Sequence, residues 1–211
     1  MPINIDHCRQ HLKESDLGQV FIDELGWDRY SSNPIISVDE HDWTLHAIAQ
    51  KRGMVALVHI GKIPGYPTRR KIEREITKIA HEHLIVFIDS KKTTQIWQWV
   101  KRETGKPTAC REHTYNCNQP GDALIQKLQT VVFSLEEEEG LTITQVTGRV
   151  RAAFDVERIT KRFYDRFKDE HAAFLKFIKG VPDEELQRWY VSVMLNRLMF
   201  VYFIQKKGFL N

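Results

Sequence analysis

Residues 43–60 read WTLHAIAQKRGMVALVHI, and their apolar period is two. In an extended chain Trp43, Leu45, Ala47 and Ala49 fall on one side. After Gly53, residues 54–60 are apolar on both faces. That composition predicts adjacent strands of a sheet buried on at least one side. Gly61, Pro64, Gly65 and Pro67 then interrupt the chain.

Outward from this stretch the period changes. Residues 68–82 place Ile72, Ile76 and Ile79 at helical spacing, with Arg70, Arg74 and Lys78 along another face. HLIVFID (83–89) and TQIWQWV (94–100), joined by SKKT, read as two strands, and 109–115 as another. Residues 43–115 therefore predict one sheet, with helix 68–82 packed on it through the three isoleucines. On the N-terminal side, residues 8–25 predict a helix. Asp16 precedes LGQVFIDEL, whose Leu17, Val20, Phe21 and Leu25 share a face, and Gly26 ends it. Residues 121–133 predict a further helix, followed by a solvated terminator at Glu136–Glu139 and Gly140.

From 142 onward the pattern is helical. Asp155 is placed to cap a helix that ends at Gly180, and Pro182-Asp183 opens a second one that ends at Gly208. The expected architecture is α+β or α/β: a mixed sheet flanked by helices over 1–140, then an all-helical segment over 141–211. Between Trp189 and Ile204, only Ser192, Asn196 and Arg197 are not apolar. A helix apolar all round is normally buried on every side. A face bearing some of Met194, Leu198, Val201, Tyr202 and Phe209 is therefore expected to meet a partner, or a second copy in a homodimer.

The chain has 211 residues, 42% hydrophobic and 28% charged, which is ordinary globular composition and excludes disorder and fibrous classes. Cys8, Cys110 and Cys117 are too few and odd in number for a disulfide framework, so a reducing, cytoplasmic setting is expected. The N-terminus lacks an apolar signal core, and 189–204 is too short and too polar for a membrane span, so no membrane partner is expected. The net charge of +3 conceals an asymmetry: residues 61–111 carry twelve Lys and Arg against five Asp and Glu. Such a concentration suits either a polyanion or a solvated face.

The candidate chemistry follows from these charges. Glu24, Asp42, Gln50 and Lys51, with Asp39 and Glu40 nearby, are the residue types of a Mg²⁺-dependent nuclease. Carboxylates hold the metal, and the lysine stabilises the attacking hydroxide or the phosphate charge. The spacing departs from that pattern. Ala49 stands two residues before Lys51, and Gln50 is adjacent to it, so a degenerate or structural arrangement is expected. Asp89-Ser90-Lys91 reads better as turn chemistry. Cys110, His113 and Cys117 form an irregular C-x2-H-x3-C cluster; zinc would need a fourth ligand such as Cys8 or a histidine, and the three read as ordinary small buried or surface residues with no metal assigned. His81 and His83, alternate at a helix end, read as a cap. Trp97 and Trp99 share a strand face and read as core, the competing role being base stacking. For a DNA backbone the candidates are Arg69, Arg70, Arg74 and Lys78 on the helix, and Lys101 and Arg102 beyond the strand. Ion pairing with Glu73, Glu75 and Glu82 is the competing role. The chain has no G-x4-G-K-S/T, no G-x-G-x-x-G, no G-x-S-x-G and no Asn-Pro-Pro-Tyr.

Longer strings carry a resemblance. FDVERITKRFYDRFKDEHAAFLKFIKG (154–180) and RWYVSVMLNRLMFVYFIQKKGFLN (188–211) resemble the segment just before the methyltransferase module of single-chain type II restriction–modification methylases. AIAQKRG (47–53), EHLIVFID (82–89), TQIWQWVKRE (94–103) and GDALIQKLQ (121–129) resemble the N-terminal region of the same family. The family joins a nuclease, an N6-adenine methyltransferase and target-recognition parts, and related chains occur in phage exclusion. The resemblance implies a restriction-endonuclease-like, PD-(D/E)XK-type domain and a helical connector. It also implies double-stranded DNA as partner, Mg²⁺ where the nuclease is active, and S-adenosylmethionine in the full-length protein only. On this reading the chain is a fragment that lacks its methyltransferase module and does not cleave DNA alone. Two other classes stand beside it: an interaction domain that couples the methyltransferase to partner subunits without DNA contact, and a complete small nucleic-acid-binding protein.

Overall fold

In the computed structural model, which describes residues 3–102, 105, 107–155 and 157–206, the 43–60 stretch folds largely as a hairpin. Its strands are β4 (His46–Lys51) and β5 (Met54–Gly61), antiparallel, with Lys51 opposite Met54. The two turn residues, Arg52 and Gly53, have φ of 49° and 91°. Positive φ at both positions gives the turn the twist a tight hairpin needs.

The other strands are β1 (Asp28–Ser32), β2 (Ile35–Val38), β3 (His41–Thr44), β6 (His83–Asp89), β7 (Thr94–Lys101) and β8 (Ala109–Asn116). Six of them form one mixed sheet in the order β1-β4-β5-β6-β7-β8, and β2 and β3 pair separately. Only β5 and β6 are parallel, from Val55 opposite His83 to Gly61 opposite Asp89. A parallel pair needs a crossover, and helix α3 (Tyr66–Ile79) supplies it. The fold is thus mixed α+β, with helices on both faces of the sheet.

On one face lie α1 (Ile5–Glu14), α2 (Leu17–Gln19), a π-helical turn (Val20–Glu24), α4 (Asp122–Gln129) and α5 (Ile143–Phe154). They share a core with Ala56, Val86, Trp97 and Trp99 of the sheet. Phe21 meets Trp27 edge to face at 5.1 Å and stacks on Trp97 at 5.8 Å. Each such pair contributes about 0.5–1.5 kcal/mol beyond its buried area. On the other face α3 and the β2–β3 pair bury Ile72, Ile76, Ile36 and Val38 against Leu57, Ile85 and Phe87. Full burial of each isoleucine is worth about 1.5–3 kcal/mol.

Several expectations are corrected. Trp43 belongs to β3 in the small sheet, so 43–115 is not one sheet. Ile79 is 64% exposed, because it is the last residue of α3 and does not share the burial of Ile72 and Ile76. The helix expected over 8–25 is broken at Ser15, whose φ is 60°. Asp16 starts the next helical segment, its carboxylate accepting the Gln19 N–H at 3.3 Å.

The chain divides into two compact units, Met1–Asp155 and Val156–Asn211. The first extends past the boundary expected at residue 140, because α5 buries Val146, Val150 and Phe154 in the core of the sheet domain. Asp155 caps the C-terminus of α5. The second unit consists of α6 (Glu157–Leu175) and α7 (Glu184–Lys206). Phe209 lies outside the described residues. Among the described residues no helix is long and apolar enough to cross a membrane.

Candidate nucleic-acid interface

Strand alternation decides where the nuclease candidates go. On β4 the side chains of Ala47, Ala49 and Lys51 are buried, and Gln50 is half-buried. Lys51 is only 1% exposed. Its ammonium lies 3.3 Å from the Asp28 carboxylate and hydrogen-bonds the Glu138 carboxylate. That hydrogen bond and the lysine charge hold the Glu138 carboxyl below its ordinary range. Arg52 donates to the Glu138 carbonyl. The glutamate run expected to be a solvated terminator thus forms a 3-10 turn, Leu135–Gly140, tied to the end of β4.

The remaining candidates have their own partners. Glu24 accepts the Asn4 N–H at 3.0 Å and lies 3.8 Å from His7. Asp42, on β3, accepts the Ser37 hydroxyl at 2.5 Å. Gln50 lines a cleft of about 280 Å³ with Tyr30, Ser32, Ile79 and His81. The structure brings neither Glu24 nor Asp42 into the ion-pair set of Lys51. Among the described residues no three His, Cys, Asp or Glu side chains converge on a common metal position. Glu24, Asp42 and Lys51 therefore do not form the shared carboxylate and lysine set that a Mg²⁺ nuclease site needs.

The other motifs resolve in the same way. The Asp89 carboxylate accepts the N–H groups of Thr93 and Thr94 at 2.6 and 2.7 Å and the Thr93 hydroxyl at 2.8 Å. These bonds, led by the one from Thr94, hold its carboxyl below the ordinary range and build the β6–β7 turn. Cys110 and His113 are three apart on β8 and so point to opposite faces. Burial pushes the Cys110 thiol up to about 11. Trp97 and Trp99 are buried in the core, and Trp97 Nε1 donates to Gln95 Oε1 at 3.0 Å. His83 is buried and His81 exposed.

Most of the basic concentration is consumed internally. Arg69 is buried and grips Glu112 through Nε and Nη2, at 3.0 and 2.8 Å. Arg70 donates to the Thr108 hydroxyl at 3.1 Å. Lys71 pairs with Asp39, and Lys78 with Glu75 at 2.6 Å. Arg102 reaches Glu73, which is buried, and donates to the Thr77 hydroxyl at 2.8 Å. Lys101 and Arg111 converge on Asp155, at 3.0 and 3.1 Å. Burial pushes the Asp155 carboxyl up, but these two hydrogen-bonded cations outweigh it and the net direction is down.

The row expected along α3 therefore does not present a common cationic face. Among the described residues of 61–111, Lys62, Arg74, Lys91 and Lys92 are exposed with no carboxylate or hydrogen-bond partner for their side chains. Their availability had no local sequence signal, since the competing carboxylates Glu112 and Asp155 lie far along the chain. Lys62 directly follows β5 and Lys91-Lys92 follow β6 after Ser90, and that adjacency is readable once the strands are placed. Comparison with protein-family models, curated proteins and solved structures finds no match to this chain.

Proposed function

We propose that this chain is the DNA-engaging N-terminal module of a restriction–modification DNA methylase, built on a restriction-endonuclease-like fold without cleavage chemistry of its own. The observation that carries this reading is the succession of elements. A helical segment precedes antiparallel β1, β4 and β5, α3 crosses over, and β6 lies parallel to β5. With the β2–β3 pair inserted after β1, this order fits loosely the nuclease core that the sequence resemblance implies, and it supports the reading. Lys51, the only candidate for the nuclease lysine beside β4, is held under Asp28 and Glu138, which supports a structural role. In the full-length protein, methyl transfer from S-adenosylmethionine belongs to a module outside this chain.

The test is duplex binding followed by fluorescence anisotropy across a salt series. Each phosphate neutralised contributes roughly 0.9 to the slope of log K against log salt. A slope of roughly 2.7 to 3.6 in magnitude is expected, for the three unpaired lysines alone or together with Arg74. Absence of duplex binding at low salt overturns the reading. The second reading, an interaction module without DNA contact, is favoured by one observation: Phe200, Val201, Tyr202 and Phe203 of α7 are all exposed. It predicts self-association or partner capture with no affinity for duplex.

A further inference from the structure

We infer that the phosphate-contacting surface of this module is the end of the sheet where β5 and β6 finish, formed by Lys62, Lys91 and Lys92, and that α3 does not contribute it. The inference rests on the reading that the module engages DNA, and it names the surface.

Parallel pairing carries the argument. Because β5 and β6 run the same way, both chains leave the sheet at the same end, with Gly61 paired to Asp89. Neighbouring strands lie about 4.8 Å apart. Lys62 is the first residue after Gly61, and Lys91 and Lys92 follow Asp89 within the turn. Three exposed lysines from two loops are thus gathered over a small area. None has a carboxylate partner among the described residues.

The turn is also built to present them. Asp89, the acid nearest in sequence, spends both carboxylate oxygens on Thr93 and Thr94 and offers neither to a lysine. The Lys92 N–H donates to the Asp89 carbonyl at 2.9 Å, and Lys92 itself has φ of 56°. The backbone beneath Lys91 and Lys92 is therefore fixed while their side chains stay free. Ser90, exposed in the same turn, adds a hydroxyl group of the kind that accompanies lysines on a phosphate backbone. On α3, by contrast, Arg69, Arg70, Lys71 and Lys78 are already engaged, which leaves Arg74 as a single cation with no second one beside it. A duplex backbone fits this polar, cationic cluster better than a lipid surface, which asks for a broad apolar face set among the cations.

The experiment compares three proteins in the salt series: the wild type, Lys62→Ala/Lys91→Ala/Lys92→Ala, and Arg70→Ala/Arg74→Ala/Lys78→Ala. The lysine variant is expected to lower the slope of log K against log salt by roughly 2.7 in magnitude, uniformly across duplex sequences. The α3 variant is expected to keep the wild-type slope. Equal thermal melting of the wild type and the lysine variant shows that the fold is intact, as expected for exposed side chains. Wild-type binding with an unchanged slope in the lysine variant overturns this inference and leaves the functional reading standing. Failure of the wild type to bind any duplex overturns the functional reading itself. Lysine-dependent binding to phosphatidylserine vesicles without duplex binding assigns the surface to lipid and also overturns the inference.

Discussion

Arg69 on α3 donates from Nε and Nη2 to the two carboxylate oxygens of Glu112 on β8, while its Nη1 donates to the Pro64 carbonyl at 2.5 Å. A planar fork on a carboxylate is a geometry that lysine cannot reproduce. Here it fastens the crossover helix to the last strand of the sheet. A cation that looks free in the sequence is thus part of the scaffold.

The first expected outcome follows from that pair. Glu112→Ala leaves a nearly buried guanidinium without its carboxylate and should cost about 2–3 kcal/mol. Arg74→Ala, on the same helix but exposed and unpaired, should change stability by less than about 0.5 kcal/mol. Urea unfolding midpoints at pH 7 measure both. Equal effects would mean that the fork contributes nothing.

His83 gives a pH signature. It is 2% exposed, and its Nδ1–H donates to the Ala80 carbonyl at 2.7 Å. Burial pushes its pKa from 6.5 down to about 4, and the nearby Arg102 charge adds to this. Glu73 lies 3.8 Å from His83 Nε2, a distance at which an ion pair is conceivable. Arg102 already claims that carboxylate, so His83 stays neutral. Below its ordinary pKa the unfolded chain takes up a proton that the folded chain refuses. Stability is therefore complete above pH 6.5 and falls as pH drops toward 4, by up to about 3 kcal/mol. His83→Asn keeps a donor toward Ala80 and should flatten the stability profile in that window. An unaltered profile in the variant would sink this assignment. Below about pH 4.5 a second loss is expected, because Asp39, Asp89, Glu137, Glu138 and Asp155 all have lowered pKa values in the fold.

Two glycines should respond oppositely to alanine. Gly26 has φ of 69°, and an added Cβ would lie 2.2 Å from the Phe133 carbonyl oxygen. The Phe133 N–H donates to the Leu25 carbonyl at 2.9 Å, so the two segments cannot easily separate. Gly26→Ala should cost at least about 2 kcal/mol. Gly148, inside α5, has open space where a Cβ would stand. Gly148→Ala should stabilise by roughly 0.5–1 kcal/mol. Thermal melts of the two variants decide the matter.

The strands β5 to β7 were legible because apolar patterning is a local property, and each of them is buried over most of its length. The partition between sheets was not. Trp43, Leu45, Ala47 and Ala49 continue one alternation, yet β3 ends at Thr44 and β4 begins at His46. Which strand each joins is set by long-range pairing, and a period of two says nothing about it. Charges were less legible still. Lys51 meets Glu138, and Arg69 meets Glu112, across 87 and 43 residues of chain. A lysine destined for a buried ion pair reads the same as one destined for solvent.

The arrangement around Lys51 bears on catalysis. Its ammonium is occupied by Asp28 and Glu138, and Glu24 and Asp42 are engaged elsewhere. The purified chain should therefore not nick or cut duplex with Mg²⁺ or Mn²⁺, and EDTA should change neither its stability nor its DNA binding. Lys51→Ala should lower stability while leaving the cleavage assay at background. Metal-dependent nicking abolished by Glu24→Ala or Asp42→Ala would overturn the structural role given to this set.

The last expectation concerns α7. A 23-residue helix with Trp189, Leu198, Phe200, Val201, Tyr202 and Phe203 each more than half exposed presents an unusually apolar surface to water. Val191 is fully buried, and His171 on α6 reaches Ser192 Oγ at 3.0 Å, so one side of the helix is already used within its own unit. Most of the exposed set, Leu198 and residues 200–203, lies toward the C-terminal end of the helix, where four consecutive exposed side chains surround it. Monomeric proteins seldom leave contiguous apolar patches larger than a few hundred Å² uncovered. Each large side chain removed from water is worth about 1.5–3 kcal/mol before association costs are subtracted. Two copies meeting through α7 would bury several of them at once, so sedimentation at rising concentration should show a dimer or larger species. Val201→Asp places a charge in that contact and, being 51% exposed in the single chain, should leave the fold intact while shifting the distribution toward monomer. The acid variant is the sharper arm, because it separates burial in a partner from tolerance of an apolar surface. A wild type that sediments as monomer at high concentration, with Val201→Asp indistinguishable from it, would show that α7 needs no cover.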